Sequence, residues 1–151
     1  MFSKVTNYII NRFQQDEMVN TISLSAIDLI DTKKENIYPL VAISFNGSVV
    51  DEEQSLIIYD YTITVLQQRD NRKVEKHSKL MEDENWIDNL NECESICVNF
   101  INYVKRMELD NINIDSVSIE LTPLSGYGGA NLDGYSFDVG FNIPNTGYCG
   151  V

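Results

Sequence analysis

The sequence predicts an α+β protein with a single mixed or antiparallel sheet of about five strands and two amphipathic helices packed on one face. Two segments repeat apolar residues every three to four positions, which indicates helices. Other segments alternate apolar and polar residues and are rich in β-branched and aromatic side chains, which indicates strands. No internal repeat or break in composition divides the 151 residues, a length that suits one domain.

The two helices are predicted over residues 2–15 and 85–106. The apolar stripe of the first helix consists of Phe2, Val5, Ile9 and Phe13. The stripe of the second helix consists of Trp86, Leu90, Cys93, Cys97, Ile101 and Val104, flanked by Phe100. Both stripes follow the helical period, so each helix has one face that can pack against a sheet.

Strands are predicted at residues 19–25, 39–46, 56–67, 116–123 and 134–143. Residues 134–143 show the most regular alternation. Asn46 and Gly47 predict a tight turn after the second strand, because both residue types tolerate a positive φ. The glycine-rich residues 126–131 predict a turn or loop between the last two strands.

Charge and cysteine content exclude several classes of protein. The chain has 11 Lys and Arg against 23 Asp and Glu, a net charge of -12, which disfavours tight binding to nucleic acid or to anionic membranes. The first residues lack the apolar core of a signal peptide, and no run approaches 18 apolar residues. Three cysteines do not make a secreted disulfide framework, so we expect folding in a reducing cytoplasm.

A search for catalytic, metal and cofactor motifs finds no complete set, and we expect no enzymatic activity and no cofactor. The only histidine, His77, lies in a charged loop without a nucleophile beside it. Cys93 and Cys97 share an apolar helix face and are predicted to be buried, not to bind zinc. The acidic clusters at 51–53 and 82–84 lack the spacing of a calcium loop, although a pair of catalytic carboxylates stays possible.

Positive charge is concentrated in a loop predicted over residues 69–84. Residues 69–79 hold five of the 11 basic residues and two acids, a net of +3 that leaves -15 on the rest of the chain. The candidate contact residues are Arg69, Arg72, Lys73, Lys76 and Lys79. A cationic loop on an anionic body suits contact with a second copy, and head-to-tail contacts can close into rings. The alternative is a solvated loop that has no partner.

The last third of the chain resembles a known family. The resemblance lies in residues 119–124, where the predicted strand over 116–123 ends at Thr122 and Pro123, and in residues 131–145. The latter contain the predicted strand over 134–143, in which apolar residues alternate and include glycines and aromatics, and then Pro144 and Asn145; Tyr148 and Cys149 follow. This pattern resembles small head–tail junction proteins of tailed bacteriophages. These are tail-completion or tail-terminator-like neck-ring proteins, including those of Bacteroides-infecting and crAss-like phages. Thr122 departs from the acidic residue expected before the proline.

The resemblance implies a structural virion protein that forms a homo-oligomeric ring at the neck or tail junction. Its partners would be the portal or neighbouring neck and tail ring proteins. Genomic DNA would pass through the lumen without specific binding, no membrane would be involved, and assembly would take place in the host bacterial cytoplasm. Two other classes stay open at this point: a small metal-binding or carboxylate-dependent enzyme domain, and a protein that binds one host partner.

Overall fold

The computed structural model describes residues 2–24, 37–69, 84–106, 112–114, 118–128 and 131–145. Across these residues it is an α+β structure with a mixed sheet of six strands, one more than predicted, and two helices. The helices are α1 (Phe2–Gln14) and α2 (Glu84–Arg106). The strands are β1 (Thr21–Ser23), β2 (Leu40–Asp51), β3 (Leu56–Gln68), β4 (Asn113–Ile114), β5 (Thr122–Tyr127) and β6 (Leu132–Pro144).

The sheet is built around one long antiparallel pair. Strands β3 and β6 pair from Leu56 opposite Pro144 to Gln68 opposite Leu132 without a shift in register. The spatial order is β1-β2-β3-β6-β4, and β5 also pairs with β6. Among the described strands only the β1–β2 pair is parallel, which makes the sheet mixed. The outer edge of β6 is therefore shared by two strands, β5 near its start and β4 near its end.

One hydrophobic core contains side chains of both helices and of alternate positions along β2, β3 and β6. The strand residues are Val41, Ile43, Tyr59, Tyr61, Ile63, Val65, Phe137, Val139, Phe141 and Ile143. The helix residues are Val5, Ile9, Phe13, Cys93, Ile96, Cys97, Phe100 and Val104. Phe13 stacks on Phe100 with ring centroids 4.4 Å apart, which joins α1 to α2. Each large apolar side chain buried here contributes about 1.5–3 kcal/mol.

The other side of the sheet is mostly polar. Thr62 accepts a hydrogen bond from Asn46 and donates one to Asp138, at 2.7 and 2.6 Å. Thr64 and Ser136 are hydrogen bonded across β3 and β6. At one end, a smaller apolar cluster consists of Leu40, Ala42, Leu66 and Leu132. The two sides therefore differ in chemistry, as the period of two predicts.

Both helices begin and end within one residue of their predicted limits, but their buried faces differ in detail. Val5, Ile9 and Phe13 are buried as predicted, whereas Phe2 is exposed. On α2 the fully buried face is centred on Cys93, Cys97 and Phe100. It includes Asn89 and Ile96, whereas Trp86, Leu90 and Ile101 are half-buried. The helical period of α2 is as predicted, but its buried face is rotated slightly about the helix axis from the predicted stripe. The prediction placed only apolar residues on that face, whereas Asn89 is polar and buried.

The turn predicted at Asn46 and Gly47 is wrong. These residues form a bulge inside β2: Phe45 pairs with Tyr61 and Gly47 pairs with Asp60, so Asn46 is the extra residue. Gly47 has a φ of 138°, a value that only glycine adopts readily. The chain turns later, at residues 52–55, and the hairpin is longer than predicted.

The strand predicted over residues 116–123 is also wrong. Residues 118–121 form no strand, and β5 starts at Thr122 and runs into the glycine-rich segment predicted as a loop. Ile119 and Leu121 instead pack against the core at half exposure, so their alternation reflects burial without pairing. The short β4 was not predicted. Of the loop predicted over residues 69–84, positions 70–83 lie outside the described residues.

Candidate functional site

Of the five predicted contact residues, the described part of the chain includes only Arg69, directly after β3. Its Nε donates to Oδ2 of Asp133 at 3.0 Å, and its Nη2 donates to Oδ1 at 2.6 Å. The two side chains therefore form a bidentate ion pair. Arg69 is therefore bound within its own chain. The other four, Arg72, Lys73, Lys76 and Lys79, lie outside the described residues.

Asp133 is the centre of a buried polar cluster, here called the Asp133 node and formed by Arg69, Asn89, Gly126 and Asp133. Asn89 Nδ2 of α2 and the backbone N–H of Gly126 both donate to the Asp133 carboxylate, at 3.2 and 3.1 Å. Asp133 is 0% exposed, whereas the Arg69 side chain is 22% exposed. The carboxylate is thus neutralised and hydrogen bonded on both oxygens, which a buried charge requires.

The sequence contained a signal for this node that the prediction missed. Asp133 stands between Leu132 and Gly134 near the start of the most regular strand. Asn89 stands four residues before Cys93, one helical turn earlier on the apolar stripe. A polar side chain at a buried position needs a partner. These two residues could therefore have been marked as a pair, although nothing in the sequence identified Arg69 as the third member.

At the opposite end of the sheet, the outer edge of β2 has no partner strand within the part of the chain that the structure describes. Strand β1 pairs only with Leu40, Val41 and Ala42. Within the described residues no strand pairs with the outer edge of β2 from Ile43 to Asp51. Val49 and Val50 follow each other there and are 54% and 57% exposed. We call residues 43–51 the open edge.

An aromatic group lies beside the open edge. The ring of Phe2, from the first turn of α1, is 4.6 Å from the ring of Phe45 and 6.3 Å from that of Tyr59. Phe2 and Phe45 are both more than 40% exposed. Exposed apolar side chains that cluster in this way are typical of surfaces that contact another molecule.

The β2–β3 hairpin carries charge of one sign. Residues 40–68 contain four acids, Asp51, Glu52, Glu53 and Asp60, and no lysine, arginine or histidine. Three of these acids lie at the tip, where Asp51 accepts a hydrogen bond from the backbone N–H of Gln54 at 3.1 Å. The tip therefore presents a compact negative charge beside exposed valines.

Cys93 and Cys97 are fully buried, free thiols. Burial raises the pKa of Cys93 to about 12, with Glu92 and Asp133 adding to the effect, and burial also raises the pKa of Cys97. Zinc binding and nucleophilic attack both require the thiolate. Within the described ranges no three His, Cys, Asp or Glu side chains form a group that could hold a metal.

A shallow groove lies on the polar side of the sheet, beside β5 and β6. It encloses about 230 Å³ and is lined by residues that include Glu120, Ser136 and Asp138. Both carboxylates are exposed, and Asp138 already accepts a hydrogen bond from Thr62.

Comparison with known proteins finds no family model that matches this chain and no curated protein that is similar to it. Among the described residues, no helix has both the length and the apolar character needed to cross a lipid bilayer. The features of this chain that bear on its function are therefore its charges, the open edge and the Asp133 node.

Proposed function

We propose that this chain is a structural subunit of a head-to-tail ring at the neck or tail junction of a phage virion, a tail terminator or connector that joins portal and tail. Its contact residues are Arg72, Lys73, Lys76 and Lys79, which engage an acidic surface of the next copy or of an adjoining ring. DNA passes through the lumen without specific binding. The protein has no enzymatic activity in this proposal.

The observation that carries the proposal is the separation of charge along the chain. Residues 69–79 have a net charge of +3 and all other residues together -15. The described hairpin contributes four acids and no base. Opposite charge on two parts of one subunit favours contact between copies and sets their orientation. A negative lumen wall repels phosphates, so DNA can pass without sticking.

The Asp133 node supports this function by holding the chain just before the basic segment, residues 72–79. Arg69 is the last described residue before that segment, and its guanidinium is fixed to Asp133. Its backbone N–H also donates to the carbonyl oxygen of Asn131 at 3.1 Å. A contact segment that leaves a rigid body from a fixed point loses less entropy on binding than one that leaves a flexible body.

In this proposal both helices lie on one face of the sheet. The shared core of α1, α2 and alternate strand residues supports this arrangement. With the helices on one face, the polar face and the open edge are available for neighbours. The alternative of a metal-binding enzyme has no support from Cys93 and Cys97, because both are buried in that core.

The test reverses all four contact charges, in Arg72→Glu, Lys73→Glu, Lys76→Glu and Lys79→Glu. Each exposed pair contributes only about 0–1 kcal/mol, but the contacts repeat around a ring and act together. We expect the variant to fold, as judged by circular dichroism, and to fail to enter particles in an assembly assay. Rising salt should weaken any isolated ring, since the Debye length falls to about 3 Å at 1 M.

A matched control separates position from charge. Lys105→Glu with Arg106→Glu changes the net charge as much as Lys73→Glu with Lys76→Glu, but at exposed positions at the end of α2. The variant with Lys105→Glu and Arg106→Glu should assemble normally. The variant with Lys73→Glu and Lys76→Glu should assemble poorly. Normal incorporation of the folded four-fold variant would contradict the proposed contact. Portal and capsid genes beside this gene would support the class of protein.

A further inference from the structure

The open edge differs from an ordinary edge strand in its side chains. Surface strands alternate between one buried and one exposed side, so two consecutive apolar residues are not both left exposed. Here Val49 and Val50 follow each other and each is more than half exposed. Val49 pairs with Ile58 and Val50 with Ile57, so the two valines point to opposite sides of the sheet.

The bulge in β2 decides which of the two valines lies on which side of the sheet. Phe45 and Tyr61 face the helices. Without the extra Asn46, Val50 would point away from the helix side; with it, Val50 lies on the same side as Phe45. The open edge therefore has exposed apolar side chains on both sides and main-chain groups along it. An added strand could pair with those groups and cover the valines.

The charge beside the open edge selects the chemistry of such a strand. The tip of the hairpin carries Asp51, Glu52 and Glu53, and residues 40–68 contain no basic residue. A second copy that paired through its own β2 would bring two hairpins of four negative charges together, which is unfavourable. A basic segment is instead complementary to the tip.

We infer that the open edge is a strand-addition site and that its occupant is the basic segment, residues 72–79, of a neighbouring copy. This inference rests on the proposed ring and names the surface that receives the contact residues. The segment contains Arg72, Lys73, Lys76 and Lys79 for the acidic tip, and Val74 as an apolar residue for the exposed valines. The geometry is head-to-tail, because the donor and receptor surfaces are different parts of the chain.

The experiment titrates the full chain, labelled with ¹⁵N, with a synthetic peptide of the sequence of residues 70–80. We expect amide shifts confined to β2 from Ile43 onward and the tip. Glu52→Lys with Glu53→Lys should raise the Kd about tenfold at low ionic strength, equivalent to about 1.4 kcal/mol. Val49→Lys should also weaken binding, because the added strand would bury that position. Absence of binding to the wild-type chain, or shifts elsewhere, would overturn the inference.

A control pair and a charge swap complete the test. Asp88→Lys with Glu94→Lys makes the same change in net charge at exposed positions of α2 and should leave the Kd unchanged. An equal loss in this pair would show a nonspecific charge effect and refute the site. In assembly assays, Glu52→Lys with Glu53→Lys should impair rings, and adding Arg72→Glu with Lys73→Glu should restore them.

The outcomes distinguish this inference from the proposed function. If reversal of the basic residues blocks assembly but the hairpin variants assemble normally, the ring contact stands and the receptor surface is elsewhere. If reversal of the basic residues has no effect on assembly, the proposed contact itself is wrong.

Discussion

The two ends of the β3–β6 pair differ in whether the polar and apolar side chains there are covered by partners within the described chain. At the end near Gln68, the buried charge of Asp133 has Arg69, Asn89 and the Gly126 N–H as partners within the chain. At the end near Leu56, acids and valines are left exposed, and the outer edge of the adjacent β2 is unpaired among the described residues. The fold itself completes one end, and at the other end we propose contact with a second copy.

The largest effect on stability is expected from Arg69→Ala, which breaks the completed end. It leaves the fully buried carboxylate of Asp133 without its counter-charge, and removing one partner of a buried pair costs about 3–5 kcal/mol. Denaturant unfolding followed by circular dichroism measures the loss. Asp133→Ala should cost less, because Arg69 is partly exposed and can turn to water.

A double mutant tests whether the node acts as a unit. Arg69→Ala with Asp133→Ala should cost less than the sum of the single changes, because the second change removes the charge that the first left unpaired. Additive losses would show that the two side chains stabilise the fold independently.

A smaller loss of stability is expected from Gly134→Ala, at the same end of the β3–β6 pair as Asp133. A Cβ at Gly134 would overlap the carbonyl oxygen of Val65 on β3, so the strands would have to move apart. Overpacking of this kind costs about 1–3 kcal/mol. Thermal unfolding should show a lower Tm for this variant.

Gly47→Ala is the contrasting change at the other end, where a Cβ meets no atom within 4 Å but the positive φ is strained.

The buried thiols predict a pH-dependent effect. Because the folded-state pKa of Cys93 is raised to about 12 from 9.0, its contribution to stability is complete below pH 9 and is lost as the pH rises toward 12. Each thiol contributes a slope of up to about 1.4 kcal/mol per pH unit. The free energy of unfolding measured at pH 8, 9 and 10 should fall. A Cys93→Ala, Cys97→Ala variant should show a shallower fall, and an equal slope would contradict the assignment.

The smallest effect on folding is expected at the open end. Val49→Thr and Val50→Thr keep the β-branched shape and replace one exposed methyl group by a hydroxyl, so the free energy of unfolding should change by less than about 0.5 kcal/mol. Equilibrium unfolding checks this. A loss above 1 kcal/mol would mean that the valines already pack within the subunit.

These contrasts explain what the sequence could predict. The helices and the long strands follow from apolar periods that persist over many residues, as in the stripe through Cys93 and Cys97. The bulge at Asn46 and the division of the β6 edge between β4 and β5 depend on pairing partners far along the chain, which local patterns do not contain. The pairing of Arg69 with Asp133 also joins distant parts of the chain, although Asn89 and Asp133 each stand as a polar residue in an apolar pattern that could have been marked. The charged segment could be found by counting alone.

The long β3–β6 pair also has a consequence for the order of folding. Gln68 pairs with Leu132 and Leu56 with Pro144, partners 64 and 88 residues apart. During synthesis the β2–β3 hairpin is complete long before β6 is made. Until then, the edge of β3 that later pairs with β6 has no partner strand. Distant pairings of this kind slow folding and leave unprotected edges that aggregate. Translation speed and chaperone supply should therefore influence the yield of this protein.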